Sequence, residues 1–89
     1  PHIDNCARVC HAPSLKGMKT TIGEGAATNP YNDIYHAEFM IVIGSNTTQA
    51  HPIIANRIID AASHKDNLAV IDVREIQLSK KAKYPLVIP

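Results

Sequence analysis

Two continuous apolar runs punctuate the second half of the chain. Phe39-Met40-Ile41-Val42-Ile43 is closed by Gly44, and Leu68-Ala69-Val70-Ile71 ends at Asp72. Their length and β-branching predict short strands, the first buried on both faces. Between them Ile54, Ile58, Ala61 and Ala62 recur at helical spacing, beside Ile53 and Ile59. That spacing predicts a helix opening at Pro52 and running to about residue 63. Proline suits the first helical position, where its missing N–H costs nothing. Ser45 to Gln49 reads as a polar loop and Lys65-Asp66-Asn67 as a turn. Strand, loop, helix and strand in this order give a right-handed parallel βαβ unit. Tyr84-Pro85-Leu86-Val87-Ile88 is a third strand candidate, which Pro85 restricts to a sheet edge or a strand start.

The first part of the chain is more polar. Pro13 and Ser14 lead into Leu15, Met18 and Ile22, spaced as one helix face. Gly17 weakens that helix, and Gly23 and Gly25 end it. Residues 23–29 read as a flexible loop. Asn29 as N-cap and Pro30 at the first position predict a short helix through Tyr31, Ile34 and Tyr35. The fold class is therefore α/β: a three-layer, parallel βαβ, Rossmann-like partial domain with an N-terminal loop and short-helix segment. We divide it at residues 1–37 and 38–89, as parts of one structural unit.

The chain has 89 residues, enough for one small domain with a small core. It lacks an initiator Met and both opens and closes on proline, which predicts an internal fragment of a larger protein. The net charge of +1 gives no basic footprint, so nucleic acid is not an expected partner. No apolar run approaches the ~18–20 residues needed to span a bilayer. Two cysteines do not make a disulfide framework, so a cytoplasmic location is expected, with a periplasmic one as the alternative.

Two places could carry chemistry. Ligands of open parallel sheets bind beyond the carboxyl ends of the strands. Here those ends are Gly44-Ser45-Asn46-Thr47-Thr48-Gln49 and Asp72-Val73-Arg74. Gly44 would let the backbone approach a ligand. The first loop would present a helix N-terminus to a phosphate, with His51 in that loop or capping it. Asp72 could accept from ribose hydroxyls, and Arg74 could meet a phosphate or base. A polar loop without a ligand accounts for the same spacing, because there is no GxGxxG. The second place is Cys10-His11: a thiolate is a soft metal ligand or nucleophile, and an imidazole moves protons near neutral pH. Arg8 could favour the thiolate. A buried Cys beside a surface His is the plainer reading of this pair alone. Cys6 reads as a packing residue, and no second Cys/His cluster completes a zinc site. His36 and His64 read as surface positions.

The run Asp4-Asn5-Cys6-Ala7-Arg8-Val9-Cys10-His11-Ala12-Pro13-Ser14 resembles the active-site segment of molybdopterin-dependent formate dehydrogenases. Gly23 to Asn29 is similar to that family's following glycine loop. Gly44-Ser45-Asn46 with Ala50-His51-Pro52 resembles its pterin-cofactor loop, and Asp72-Val73-Arg74 its Asp-Pro-Arg turn. Val73 departs from the usual Pro, and Leu78, Ser79 and Lys83 depart from the usual Thr, Ala and Asp.

The resemblance implies that Cys10 ligates molybdenum or tungsten and that His11 handles a proton. It implies that Gly44, Ser45, Asn46, Gln49, Ala50, His51, Asp72 and Arg74 hold one arm of a bis-molybdopterin guanine dinucleotide. It implies formate as substrate, with the rest of the catalytic subunit and electron-transfer subunits as partners. The iron–sulfur cysteines and the substrate-binding arginine would lie outside these residues. The alternatives are a related enzyme such as a nitrate reductase, or a non-catalytic nucleotide-binding module.

Overall fold

The computed structural model describes residues 2–89, which form two compact units, up to Pro30 and from Tyr31 onward. In the first, α1 (Ala7–Cys10) is a single turn and α2 (Ala12–Ile22) has Pro13 in its first turn. Gly23 ends α2 at φ 82°, a left-handed conformation that glycine adopts without a Cβ penalty. Gly25 then folds back over α2, where a Cβ would lie 3.1 Å from Leu15 Cδ2. None of the described residues of this unit is buried. The helix face of Leu15, Met18 and Ile22 forms as expected, but it covers no core: Leu15 and Ile22 are exposed and Met18 is half-buried.

The second unit carries α3 (Asp33–His36), β1 (Met40–Ile43), α4 (Thr47–Ala50), α5 (Pro52–Lys65), β2 (Leu68–Asp72), a 3₁₀ helix (Gln77–Lys81) and β3 (Tyr84–Val87). Its sheet is parallel, in the order β1-β2-β3. The α/β parallel architecture expected from the two apolar runs is therefore present. α5 buries Ala55, Ile58, Ala61 and Ala62 and opens on Pro52. It runs two residues further than the spacing suggested and ends on Asp66, whose φ of 51° supplies the left-handed cap. Aspartate tolerates that conformation better than most residues.

The core joins Ile58 and Ala62 of α5, Leu68 and Val70 of β2, and Ile76 and Leu78 around the 3₁₀ helix. Met40 and Val42 pack against it from β1. Burying residues such as Leu68 and Leu78 completely stabilises the unit by roughly 1.5–3 kcal/mol each.

Three local expectations are corrected. β1 is not buried on both faces: it is an edge strand, and Ile41 and Ile43 are exposed. Only β2, between two neighbours, has consecutive buried residues. The short helix near residue 30 starts at Asp33, not Pro30, because the Asn29 side-chain oxygen accepts from Thr28 at 2.7 Å and the first turn closes on Tyr31 and Asn32. The predicted loop at 45–49 contains the helical turn α4, closed by Ala50 N–H to Asn46 O and His51 N–H to Thr47 O.

β3 takes the edge position that Pro85 requires. Ile88 N–H bonds Asp72 O across the pair, and strand alternation then turns Pro85 away from β2. At the other end of β2, Asn67 is buried and its amide donates to the carbonyls of Ala37 and Glu38. Those two bonds tie the entry of β1 to the entry of β2.

Candidate functional site

Cys10 closes α1 and His11 stands alone between α1 and α2. Both backbone groups of His11 are used: its N–H donates to Ala7 O at 3.1 Å, and its carbonyl accepts from Leu15 N–H at 2.9 Å. The main chain is fixed at this point while the thiol and the imidazole remain exposed. Exposure removes the plainer reading in which Cys10 is a packing residue, and it corrects the same expectation for Cys6. Arg8 is paired with Asp4, one turn earlier, so its guanidinium is engaged there. Among the described residues no three His, Cys, Asp or Glu side chains gather as they would around a bare metal ion.

The second unit has a cavity of about 240 Å³ beyond the carboxyl ends of β1 and β2. Asn46, Gln49, Arg74, Glu75, Ile76 and Gln77 line it. The fold thus brings Asn46 and Gln49 from the first loop to Arg74 from the second. Gly44 at φ 60° turns the chain out of β1; a left-handed residue is needed there, rather than a close approach, since a Cβ would meet nothing within 4 Å.

The loop is then braced by its own side chains. The hydroxyls of Ser45 and Thr47 lie 3.1 Å apart, Thr47 Oγ1 donates to Ser45 O, and Asn46 Nδ2 donates to Gln49 Oε1 at 2.9 Å. Asp72 uses Oδ1 to accept from Val73 and Arg74 N–H, which leaves Oδ2 for a ligand.

Ala50 and His51 lie elsewhere. With Tyr31, Pro52, Ile53 and Ile54 they line a second cavity of about 310 Å³. His51 precedes α5 but its side chain caps nothing. Glu75 and Gln77 were not anticipated as lining residues. The available signal was their position directly after the turn at the carboxyl end of β2.

The family model for molybdopterin oxidoreductases matches residues 2–86. This chain belongs to the molybdopterin oxidoreductase family. It is 40% identical over 89 residues to the F420-dependent formate dehydrogenase subunit alpha of Methanocaldococcus jannaschii, covering 99% of this chain and 13% of that protein. It is 38% identical to the F420-dependent formate dehydrogenase 2 subunit alpha of Methanococcus maripaludis, covering 91% of this chain and 12% of the relative. Against formate dehydrogenase H of Escherichia coli the identity is 37%, covering 91% and 11%. The chain therefore spans about one eighth of these relatives.

Membership implies a molybdenum or tungsten pterin cofactor. The exposed thiol of the first unit and, separately, the amides and guanidinium lining the cavity of the second are each chemically suited to parts of such a group. No helix among the described residues is long and apolar enough to cross a membrane.

Proposed function

We propose that the complete protein is a formate dehydrogenase, converting formate to carbon dioxide, one proton and two electrons. The observation that carries this reading is Cys10 beside His11, both exposed at a fixed helix junction, in a chain matching relatives named formate dehydrogenase. When bound, the metal–pterin group would supply the two-electron acceptor. Cys10 is the protein's thiolate ligand to that metal, and a ring nitrogen of His11 receives the proton.

The cofactor in this reading is a bis-molybdopterin guanine dinucleotide of molybdenum or tungsten. Residues 1–37 form the active-site segment and residues 38–89 the cofactor-binding segment. Asn46, Gln49, Asp72 and Arg74 meet one dinucleotide arm, with Gly44 and Ser45 shaping their loop and Ala50 and His51 at its end. A cavity of about 240 Å³ is smaller than the roughly 300–1,000 Å³ that encloses a whole ligand, so it suits one end of a long cofactor. The iron–sulfur cluster, the rest of the catalytic subunit and the electron-transfer subunits lie outside these residues, and the site of action is the cytoplasm.

The test is formate oxidation and metal content of the full-length protein with Cys10→Ala. Loss of both is expected, and undiminished activity would falsify the assignment. Nitrate supplied with a reduced dye separates a formate dehydrogenase from a nitrate reductase. Guanine-nucleotide binding without metal or formate turnover would instead favour a non-catalytic binding module.

A further inference from the structure

The cavity at the carboxyl end of the sheet contains an acid that the roles above leave unused. Glu75 lines it beside Arg74. The two side chains are neighbours of opposite charge, yet among the described residues they form no ion pair with each other or with any other group. Both remain available to a ligand.

Glu75 is also held in place. Just before it, Asp72 Oδ1 binds the N–H groups of Val73 and Arg74. Just after it, Ile76 is buried and its N–H donates to Ser79 Oγ at 3.2 Å. The main chain at 75 is fixed from both sides, so its carboxylate is carried at the cavity and not on a free loop.

The remaining lining groups are amides. Asn46 and Gln49 are joined by one hydrogen bond through Gln49 Oε1, which leaves the Gln49 amide N–H groups as donors. The cavity thus presents one cation, one anion and amide donors. A phosphate satisfies the cation and the amide donors but leaves the anion unmatched. An ionised carboxylate accepts hydrogen bonds and donates none, so it needs a ligand edge made of donors. Guanine has such an edge, with N1–H and the exocyclic N2–H side by side, and a carboxylate can accept from both at once. Adenine and cytosine place a ring-nitrogen lone pair next to their amino group, and that lone pair would face the carboxylate and repel it.

We propose that Glu75 is the base-selecting residue of this cavity, its carboxylate accepting from N1–H and N2–H of a guanine ring. This rests on the reading of the cavity as a guanine-nucleotide site and names the residue that makes it selective.

The experiment is equilibrium binding of GDP, IDP and ADP to the full-length protein in cofactor-free form, wild type against Glu75→Gln and Glu75→Ala. Inosine retains N1–H and lacks the exocyclic amine. The wild type is expected to bind GDP about tenfold or more tightly than IDP, the effect of one charge-assisted hydrogen bond, and ADP more weakly than either. Both variants should bind GDP and IDP alike. Circular dichroism of the variants provides the folding control, and the GDP-to-IDP ratio in the wild type needs no variant. Equal wild-type affinity for GDP and IDP overturns the proposal. Retention of the preference in both variants overturns the role of Glu75 and leaves the guanine site standing. Absence of wild-type binding at millimolar GDP removes the guanine-site reading itself, and the role of Glu75 with it.

Discussion

Asp72 holds Arg74 through the main chain. Its Oδ1 accepts from the Arg74 N–H at 3.3 Å and from the intervening Val73 N–H at 2.7 Å. The turn that a proline would stiffen by fixing φ is here closed by a side-chain acceptor, with valine at its centre. Asp72→Ala should therefore destabilise the protein by about 1 kcal/mol and weaken GDP binding several-fold, through a looser Arg74 and the loss of Oδ2 itself. Asp72→Asn keeps an acceptor oxygen and should recover most of both losses. Thermal unfolding and nucleotide titration of the full-length protein measure them. Equal behaviour of the two variants would show that the charge matters and the turn does not.

Asn67 reaches back about thirty residues to the carbonyls of Ala37 and Glu38. Asn67→Ala removes the donor to Glu38 O and leaves Ala37 O with Lys65 Nζ alone, a loss of about 1–3 kcal/mol. Asn67→Asp should be worse at neutral pH, since a carboxylate would face two carbonyl oxygens. Urea unfolding of the three proteins checks the order.

Leu78 is completely buried although it sits on a short 3₁₀ helix. Leu78→Ala should cost about 2–5 kcal/mol, the range for a large-to-small change in a packed core. In a unit with so small a core, that is enough to unfold it at modest temperature. A melting curve within a few degrees of the wild type would contradict the packing described here.

Ile41 and Ile43 project from the uncovered face of the edge strand β1, in register with Ala69 and Ile71, and Tyr84 and Leu86 continue the same rows on β3. An apolar edge of this kind templates association. The 89-residue chain should self-associate at micromolar concentration, and the double variant Ile41→Lys, Ile43→Lys should lower the sedimenting mass without loss of helix content. Analytical ultracentrifugation and circular dichroism decide this together.

The two exposed cysteines are chemically alike but differ in their proposed roles. Cys6→Ser should leave formate oxidation by the full-length protein within a few-fold of wild type. Cys10→Ser should lower it by more than about 100-fold, beyond the 10–100-fold typical of groups that only support a metal ligand. Equal effects would remove the distinction between them.

Much of the second unit is determined by local rules. The apolar runs at 39–43 and 68–71, Pro52 at a helix start and the Ile58–Ala62 face each follow from periodicity and backbone chemistry within a few residues, and each element formed where that chemistry put it. Pro85 at a sheet edge is of the same kind, because a missing N–H is a property of the residue itself. The run from Asp4 to Ser14 identified the family without reference to any contact.

Tertiary structure decided everything that depends on which neighbour an element has. β1 and β2 both carry apolar runs in sequence, yet only β2 has consecutive buried residues, Leu68 to Val70, because strand order put it between two others. Ile76 and Leu78 look like parts of a polar connection and became core because the crossover to β3 packs them against Val70 and Ile58. Glu75 and Gln77 reached the cavity for the same reason: the turn at Asp72 and the buried Ile76 together fix where the intervening chain must run. The exposure of Cys10 and His11 could not be read from their letters, since burial is a property of what surrounds a residue. The sequence thus specified which groups are chemically able to act, and the packing specified which of them stand together.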